Sequence, residues 1–133
     1  MQAFMSVYSL LNRHSNLNLQ SKIIIYLQLI RPVMLYGSPV WAATAKTNRK
    51  VLQTLQNKII RTIFGAPWFI RNQILQNDAK INSIDEEILK TVFKFYEKMS
   101  NHPSSVIQNI GNYDYLVNQK YKRPRTIHHN ELW

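Results

Sequence analysis

Polar and basic side chains recur at helical spacing between positions 50 and 61, and they are the residues best suited to chemistry. At 100° per residue, one face of a helix carries a donor row of five side chains: Lys50, Thr54, Asn57, Lys58 and Arg61. The row is about 16 Å long at a rise of 1.5 Å per residue. It could therefore meet about two or three phosphates of a nucleic-acid strand. A solvated helix face is an equally good interpretation.

Two aromatic residues follow the donor row. Trp68 and Phe69 come directly after Pro67, and Arg61 and Arg71 flank them. The interpretation that we favour for the aromatics is a lid on the hydrophobic core. The alternative is base stacking, because aromatics between cations are typical of proteins that bind single-stranded nucleic acid.

Charge is the strongest feature of the composition. The chain has 133 residues, with 17 basic and 7 acidic side chains and a net charge of +10. No acidic residue precedes Asp78, whereas nine basic residues do: Arg13, Lys22, Arg31, Lys46, Arg49, Lys50, Lys58, Arg61 and Arg71. Salt bridges within this segment cannot neutralise it, which favours a polyanionic partner over a surface that serves solubility alone.

Several kinds of catalytic site are excluded or unsupported. Cysteine is absent, so a disulfide framework, a thiolate metal site and a cysteine nucleophile are excluded. Two-metal polymerase chemistry needs neighbouring carboxylates, and the sequence contains no Asp-Asp pair and no glycine-rich phosphate loop. The four histidines lie outside any recognisable catalytic or zinc motif. We predict that the chain is not catalytic alone and holds no cofactor.

Hydrophobic periodicity predicts an all-α fold, a small bundle of about four to five helices. The predicted helices cover residues 2–13, 19–36, 47–64, a short stretch within 66–77, and 83–99. Residues 1–102 are predicted to form one helical domain. Residues 103–133 are predicted to be a flexible, basic tail, poorly ordered or partly helical.

The second predicted helix is apolar on all faces, so we expect it to be central and buried. Pro32 should kink or break it. The most apolar stretch of the sequence, residues 23–45, has Arg31 near its middle, which makes a membrane span unfavourable. No signal peptide is evident. We therefore expect no membrane partner and an intracellular location, cytoplasmic or nuclear.

The last long helix has the clearest boundaries. Residues 83–86 (SIDE) form a capping box. One face carries an apolar stripe of Ile84, Ile88, Val92, Phe95 and Met99, which Leu89 and Tyr96 widen. Lys90 and Lys94 begin a second basic row on this helix.

Two motifs carry a family resemblance that runs from about residue 10 to about residue 99. Residues 56–61 (QNKIIR), followed by 65–72 (GAPWFIRN), are similar to a region downstream of the polymerase palm in jockey-type non-LTR (LINE-type) retrotransposon reverse transcriptases. Residues 30–41 (IRPVMLYGSPVW) are similar to a second motif of that region, in the same order and at about the same spacing.

The resemblance implies a thumb-like region of an RNA-directed DNA polymerase that grips the primer–template backbone, without the catalytic aspartates. Its implied partners are RNA, DNA or RNA–DNA hybrid and the palm of a full-length enzyme, which would use Mg²⁺. The candidate nucleic-acid-binding residues are Lys50, Asn57, Lys58, Arg61, Trp68, Arg71, Asn72, Lys90 and Lys94. The alternatives are a basic protein-interaction module and a non-functional transposon remnant.

Overall fold

A computed structural model describes residues 2–43 and 45–110, which are largely helical and contain no strand. The helices are α1 (Gln2–Leu11), α2 (Leu19–Ile25), a π-helical segment (Tyr26–Ile30), α3 (Arg31–Leu35), α4 (Ser38–Trp41), α5 (Lys46–Phe64), α6 (Asn72–Ala79), α7 (Ile84–Ser100) and α8 (Ser105–Gln108). Five α-helices have seven or more residues. The prediction of a small all-α fold is confirmed.

The chain divides into two compact units. The first comprises Met1–Tyr36 with Arg49–Ile84, and the second comprises Gly37–Asn48 with the part of the chain that follows Ile84. The predicted domain boundary at residue 102 stays a prediction. Of the predicted tail, residues 103–110 include α8, and residues 111–133 lie outside the described part.

The core of the first unit is aliphatic, with aromatic residues from α1 and the π-helical segment. Phe4 and Leu11 of α1 pack in one cluster with Tyr26, with Ile59 of α5, and with Leu75 of α6. Because this cluster joins α1, α5 and α6, it fixes the orientation of α5 within the unit.

The second predicted helix forms as one run from Leu19 to Leu35 with a π-helical segment in its middle. The Asn18 side chain accepts a hydrogen bond from the Ser21 N–H and caps its start. The π-helical segment ends two residues before Pro32, and the Arg31 N–H donates to the carbonyl of Tyr26, five positions earlier. A π turn displaces the carbonyls that a proline ring would otherwise meet, so the helix continues past the proline.

The expectation that this helix is buried on all faces is wrong. Ile23 and Ile30 are buried, but Ile24, Leu29 and Val33 are exposed. The helix therefore gives only one stripe to the core of the first unit and leaves an apolar surface open.

Glycine ends α5 as predicted. Gly65 has φ +60°, and the Ala66 N–H donates to the Arg61 carbonyl while the Gly65 N–H donates to the Thr62 carbonyl. This is the Schellman pattern, in which a left-handed residue closes the last helical turn. Lys80 closes α6 in the same way, with φ +55° despite its side chain.

The apolar side of α7 differs from the prediction at one position. Ile88, Val92, Tyr96 and Met99 are buried as expected, but Phe95 is exposed. The Tyr96 hydroxyl group lies 3.4 Å from the Pro39 carbonyl oxygen, its acceptor within the second unit. The hydroxyl group of this buried tyrosine therefore has an acceptor within the same unit.

Candidate nucleic-acid interface

The donor row on α5 divides into exposed and engaged side chains. Lys50, Thr54 and Lys58 are exposed, whereas Asn57 and Arg61 are partly buried. The exposed members lie opposite the face that carries buried Ile59 and Ile63. The two exposed lysines are therefore available to an external anion, whereas the side chains of Asn57 and Arg61 are less accessible to one.

Arg61 holds the loop that follows its own helix. Its Nη1 donates to the Pro67 carbonyl at 2.6 Å, and its Nη2 donates to the Ile70 carbonyl at 2.8 Å and to Asn72 Oδ1 at 2.6 Å. Hydrogen bonds from a charged guanidinium are stronger than neutral ones. Arg61 therefore acts within the first unit as a clamp on residues 67–72.

The clamped loop contains an aromatic turn, residues 67–70. The Ile70 N–H donates to the Pro67 carbonyl and closes it, so Trp68 and Phe69 occupy its two central positions. Their rings form an edge-to-face pair with centroids 6.1 Å apart. Trp68 is 88% exposed and Phe69 is 68% exposed. The favoured interpretation of these residues as core lids is wrong, because the turn directs both away from the core.

Asn57 belongs to a chain of side-chain amides. Its Oδ1 accepts hydrogen bonds from Gln53 Nε2 at 3.0 Å and from Gln76 Nε2 at 2.6 Å, which joins α5 to α6. Gln56 is 1% exposed and donates to the Asn82 carbonyl at 2.8 Å. Sequence reasoning did not identify this structural role of the amides, because amide residues on a helix carry no signal of which partner they meet.

The other cations of the acid-free segment have different environments. Lys22 and Arg49 are buried, and Lys22 Nζ donates to the Asn12 carbonyl at 2.8 Å. Arg71 is exposed directly after the aromatic turn. Arg13 is also exposed, with its aliphatic stem beside Gly65. Two of the nine cations are thus part of the interior, while exposed cations accompany the aromatic turn.

The remaining predicted site residues lie in two places. Asn72, the first residue of α6, is exposed and accepts the hydrogen bond from Arg61. Lys90 and Lys94 are exposed on α7, in the second unit, where Lys90 Nζ forms an ion pair with Glu87 at 3.3 Å. The structure brings together the residues around the aromatic turn. Nucleic-acid binding by any of the nine residues stays a prediction.

Residues 2–43 and 45–110 contain neither a cluster of metal ligands nor a membrane-spanning helix. Within these ranges no group of three or more His, Asp or Glu side chains converges to hold a metal ion. No helix in these same ranges has both the length and the apolar character needed to cross a membrane.

Comparison with known proteins identifies relatives. The chain is 35% identical over 95 residues, 71% of its length, to a probable RNA-directed DNA polymerase from transposon X-element of Drosophila melanogaster. It is 31% identical over 117 residues, 88% of its length, to the RNA-directed DNA polymerase from mobile element jockey of Drosophila funebris. A third relative, from transposon BS of Drosophila melanogaster, is 30% identical over 101 residues, 76% of the chain.

These relatives are RNA-directed DNA polymerases of non-LTR retrotransposons, and the similarity covers most of this chain. The resemblance to jockey-type retrotransposon polymerases seen in the two motifs is thereby confirmed. It spans about a tenth of the length of the curated relatives it matches: 10%, 11% and 12% for X-element, BS and jockey. No protein-family model matches the chain. No solved structure matches it either.

Proposed function

We propose that this chain is a non-catalytic, thumb-like segment of an RNA-directed DNA polymerase and that it holds nucleic acid through phosphate contacts. The observation that supports the proposal best is the exposure of Lys50, Lys58 and Arg71 on a segment that has no acidic residue before Asp78. Exposed cations of a segment that contains no carboxylate attract the phosphate backbone. The names of the relatives support the same class of ligand: RNA, DNA or an RNA–DNA hybrid.

The structure changes which residues should be tested. Arg61 forms three hydrogen bonds with residues 67–72, so its removal would alter the loop as well as the charge. Lys50 and Lys58 are exposed on α5 and separated by about 12 Å along the helix axis. The double substitution Lys50→Ala with Lys58→Ala therefore tests phosphate contact with the least effect on folding.

The experiment is a titration of the whole chain with a labelled RNA–DNA hybrid over a range of salt concentrations. We expect affinity to fall steeply as salt rises, because bound cations release counterions from the nucleic acid. The double alanine variant should reduce the slope of log affinity against log salt by about 0.7–0.9 for each phosphate that the protein no longer neutralises. The matched Lys50→Arg, Lys58→Arg variant should restore it. The absence of binding at about 50 mM salt would refute the proposal.

A second partner is favoured by the exposed apolar surface of the helix that begins at Leu19. Ile24, Leu29 and Val33 lie on it and are exposed. We infer that in a full-length polymerase this surface packs against the palm domain. Hydrogen exchange of residues 19–35, with and without the polymerase segment that precedes this region in a relative, tests the inference. Equal exchange in both samples would contradict it.

A further inference from the structure

The aromatic turn is unusual for a turn on the surface of a small protein. Gly, Pro, Asn, Asp and Ser dominate tight turns because of their backbone conformations and local hydrogen bonds. Here the two central positions hold Trp68 and Phe69, which are 88% and 68% exposed. Neither turn chemistry nor core packing accounts for two large aromatic rings at these positions.

The hydrogen bonds of Arg61 bracket the aromatic pair. Its guanidinium holds the carbonyl of Pro67, directly before Trp68, and the carbonyl of Ile70, directly after Phe69. The backbone on both sides of the two rings is thus attached to the last turns of α5. A base-binding surface gains affinity when its aromatics are held in place before the ligand arrives.

The charges around the turn favour one class of ligand. Arg71 is exposed immediately after the turn, and Lys58, one helical turn before Arg61, is exposed on α5. Arg13 lies beside Gly65, at the end of the same helix. Exposed aromatic rings among cations suit unpaired nucleotides, since the rings stack on bases while the cations meet phosphates.

We propose that Trp68 and Phe69 form a stacking platform for unpaired nucleotides of RNA or DNA, and that Arg61 is the residue that positions this platform. The inference rests on the proposed function, because it assumes that the chain binds nucleic acid. It adds that the ligand includes a single-stranded portion with accessible bases. It also implies that Arg61 acts by holding the aromatic turn in place and does not contact phosphate itself.

The first test compares the whole chain and its Trp68→Ala, Trp68→Leu and Trp68→Tyr variants. The ligands are a labelled single-stranded oligonucleotide, a blunt-ended duplex of two fully paired strands with the same total number of phosphates, and heparin. Trp68→Ala should weaken single-strand binding by about tenfold, the loss expected for one stacked base. Trp68→Leu should lose as much and Trp68→Tyr less, because stacking needs a ring and not only an apolar surface.

Heparin has no bases, so its affinity should be equal for the native chain and for Trp68→Ala. Tyr36 provides a matched control, since it is an aromatic residue of the same unit that is 85% exposed outside the turn. Tyr36→Ala should leave single-strand affinity unchanged. Unchanged single-strand binding of Trp68→Ala would overturn the platform. Equal losses on single strand, duplex and heparin would also overturn it, as would tighter binding of an acidic polypeptide than of the single strand.

The second test concerns Arg61. If it positions the aromatic pair, Arg61→Ala should weaken single-strand binding but leave the salt slope unchanged, and adding Trp68→Ala should cause no further loss. A fall in the slope of about 0.7, the value expected for one phosphate of a single strand, would show that Arg61 binds phosphate and would overturn the positioning role. If Arg61→Ala does not fold, Asn72→Ala removes one of the three hydrogen bonds and is measured instead.

Failure of this inference can be distinguished from failure of the proposed function. A native chain that binds no nucleic acid at low salt refutes both. A native chain whose binding depends on salt, but whose Trp68→Ala variant binds a single strand as tightly, refutes only the stacking platform.

Discussion

The side-chain Oε1 of Gln53 accepts a hydrogen bond at 2.8 Å from the backbone N–H of Ile84, which lies 31 positions later in the chain. Ile84 is the first residue of α7, where backbone N–H groups have no acceptor within the helix. Gln53 also donates to Asn57 Oδ1 through its Nε2. One amide side chain of α5 thus satisfies the start of another helix and belongs to the amide chain that reaches α6.

Replacing Gln53 tests this contact. Gln53→Ala should lower the free energy of unfolding by about 1–2 kcal/mol, the cost of losing a capping acceptor and leaving a partly buried donor without it. Urea unfolding followed by far-UV circular dichroism measures the change. Gln73 is an exposed glutamine of α6, and Gln73→Ala should change stability by less than about 0.5 kcal/mol. Equal effects of the two substitutions would contradict the capping role.

The Arg61 clamp predicts a larger loss of stability. Arg61→Ala removes three charge-assisted hydrogen bonds and should lower the free energy of unfolding by about 1.5–3 kcal/mol. Arg61→Lys should recover only part of this loss, because an ammonium group lacks the planar fork of the guanidinium. The same urea titration measures both variants, with Lys58→Ala as the control on the exposed face. Full recovery by lysine would show that charge alone matters.

Lys80 and Gly65 both have a positive φ, and substitutions at these two positions should have opposite effects on the free energy of unfolding. Lys80 has φ +55°, a conformation that costs a residue with a side chain about 1–2 kcal/mol. Lys80→Gly should therefore raise the free energy of unfolding, by about 0.5–1 kcal/mol after the greater flexibility of the unfolded chain is included. A thermal unfolding midpoint that does not rise would refute this prediction.

Gly65→Ala is the reciprocal change and should lower stability by about 1 kcal/mol. A Cβ atom at position 65 would lie 3.6 Å from the nearest atoms, in the stem of Arg13, which is an ordinary contact. The loss should therefore come from the positive φ alone. Gly65→Asn should be milder than Gly65→Ala, since asparagine tolerates this conformation better. Thermal unfolding of the two variants measures the difference, and equal midpoints would contradict this explanation.

Replacing the buried Lys22 should lower stability more than replacing the exposed Lys46. Its Nζ donates to the Asn12 carbonyl at the end of α1, and the side chain is buried. Lys22→Met keeps most of the packing but removes the donor, so stability should fall by about 1 kcal/mol. Lys46→Met removes the same charge at an exposed position and should change stability by less than about 0.5 kcal/mol. Equal changes in urea unfolding would indicate an effect of net charge only.

The sequence predicted the helices well because their boundaries are local. Gly65 ends α5, and the capping box precedes α7, so both boundaries could be identified from a few adjacent residues. The start of α5 at Lys46 lies one residue before the predicted position. Periodicity also identified buried Ile59 and Ile63 correctly. These features depend on backbone conformation and on apolar spacing, which neighbouring residues largely determine.

The candidate site was less predictable because its polar contacts join distant residues. Arg61 has acceptors up to 11 positions away, and Gln76 meets Asn57 across 19 positions. Periodicity places a polar group on a face of a helix but does not state its partner. The exposure of Trp68 follows from a turn closed between Pro67 and Ile70, and large aromatics in such a turn run against their usual preference for the core.

The π-helical segment links the number of residues between Tyr26 and Ile30 to the presence of Pro32. Pro32 is accommodated because the preceding turn contains one more residue than an ordinary helical turn. A chain that loses one residue between Tyr26 and Ile30 would regain regular helical geometry there, and the proline ring would then meet the carbonyl of the preceding turn. Relatives with a deletion in this stretch should therefore also have replaced the proline.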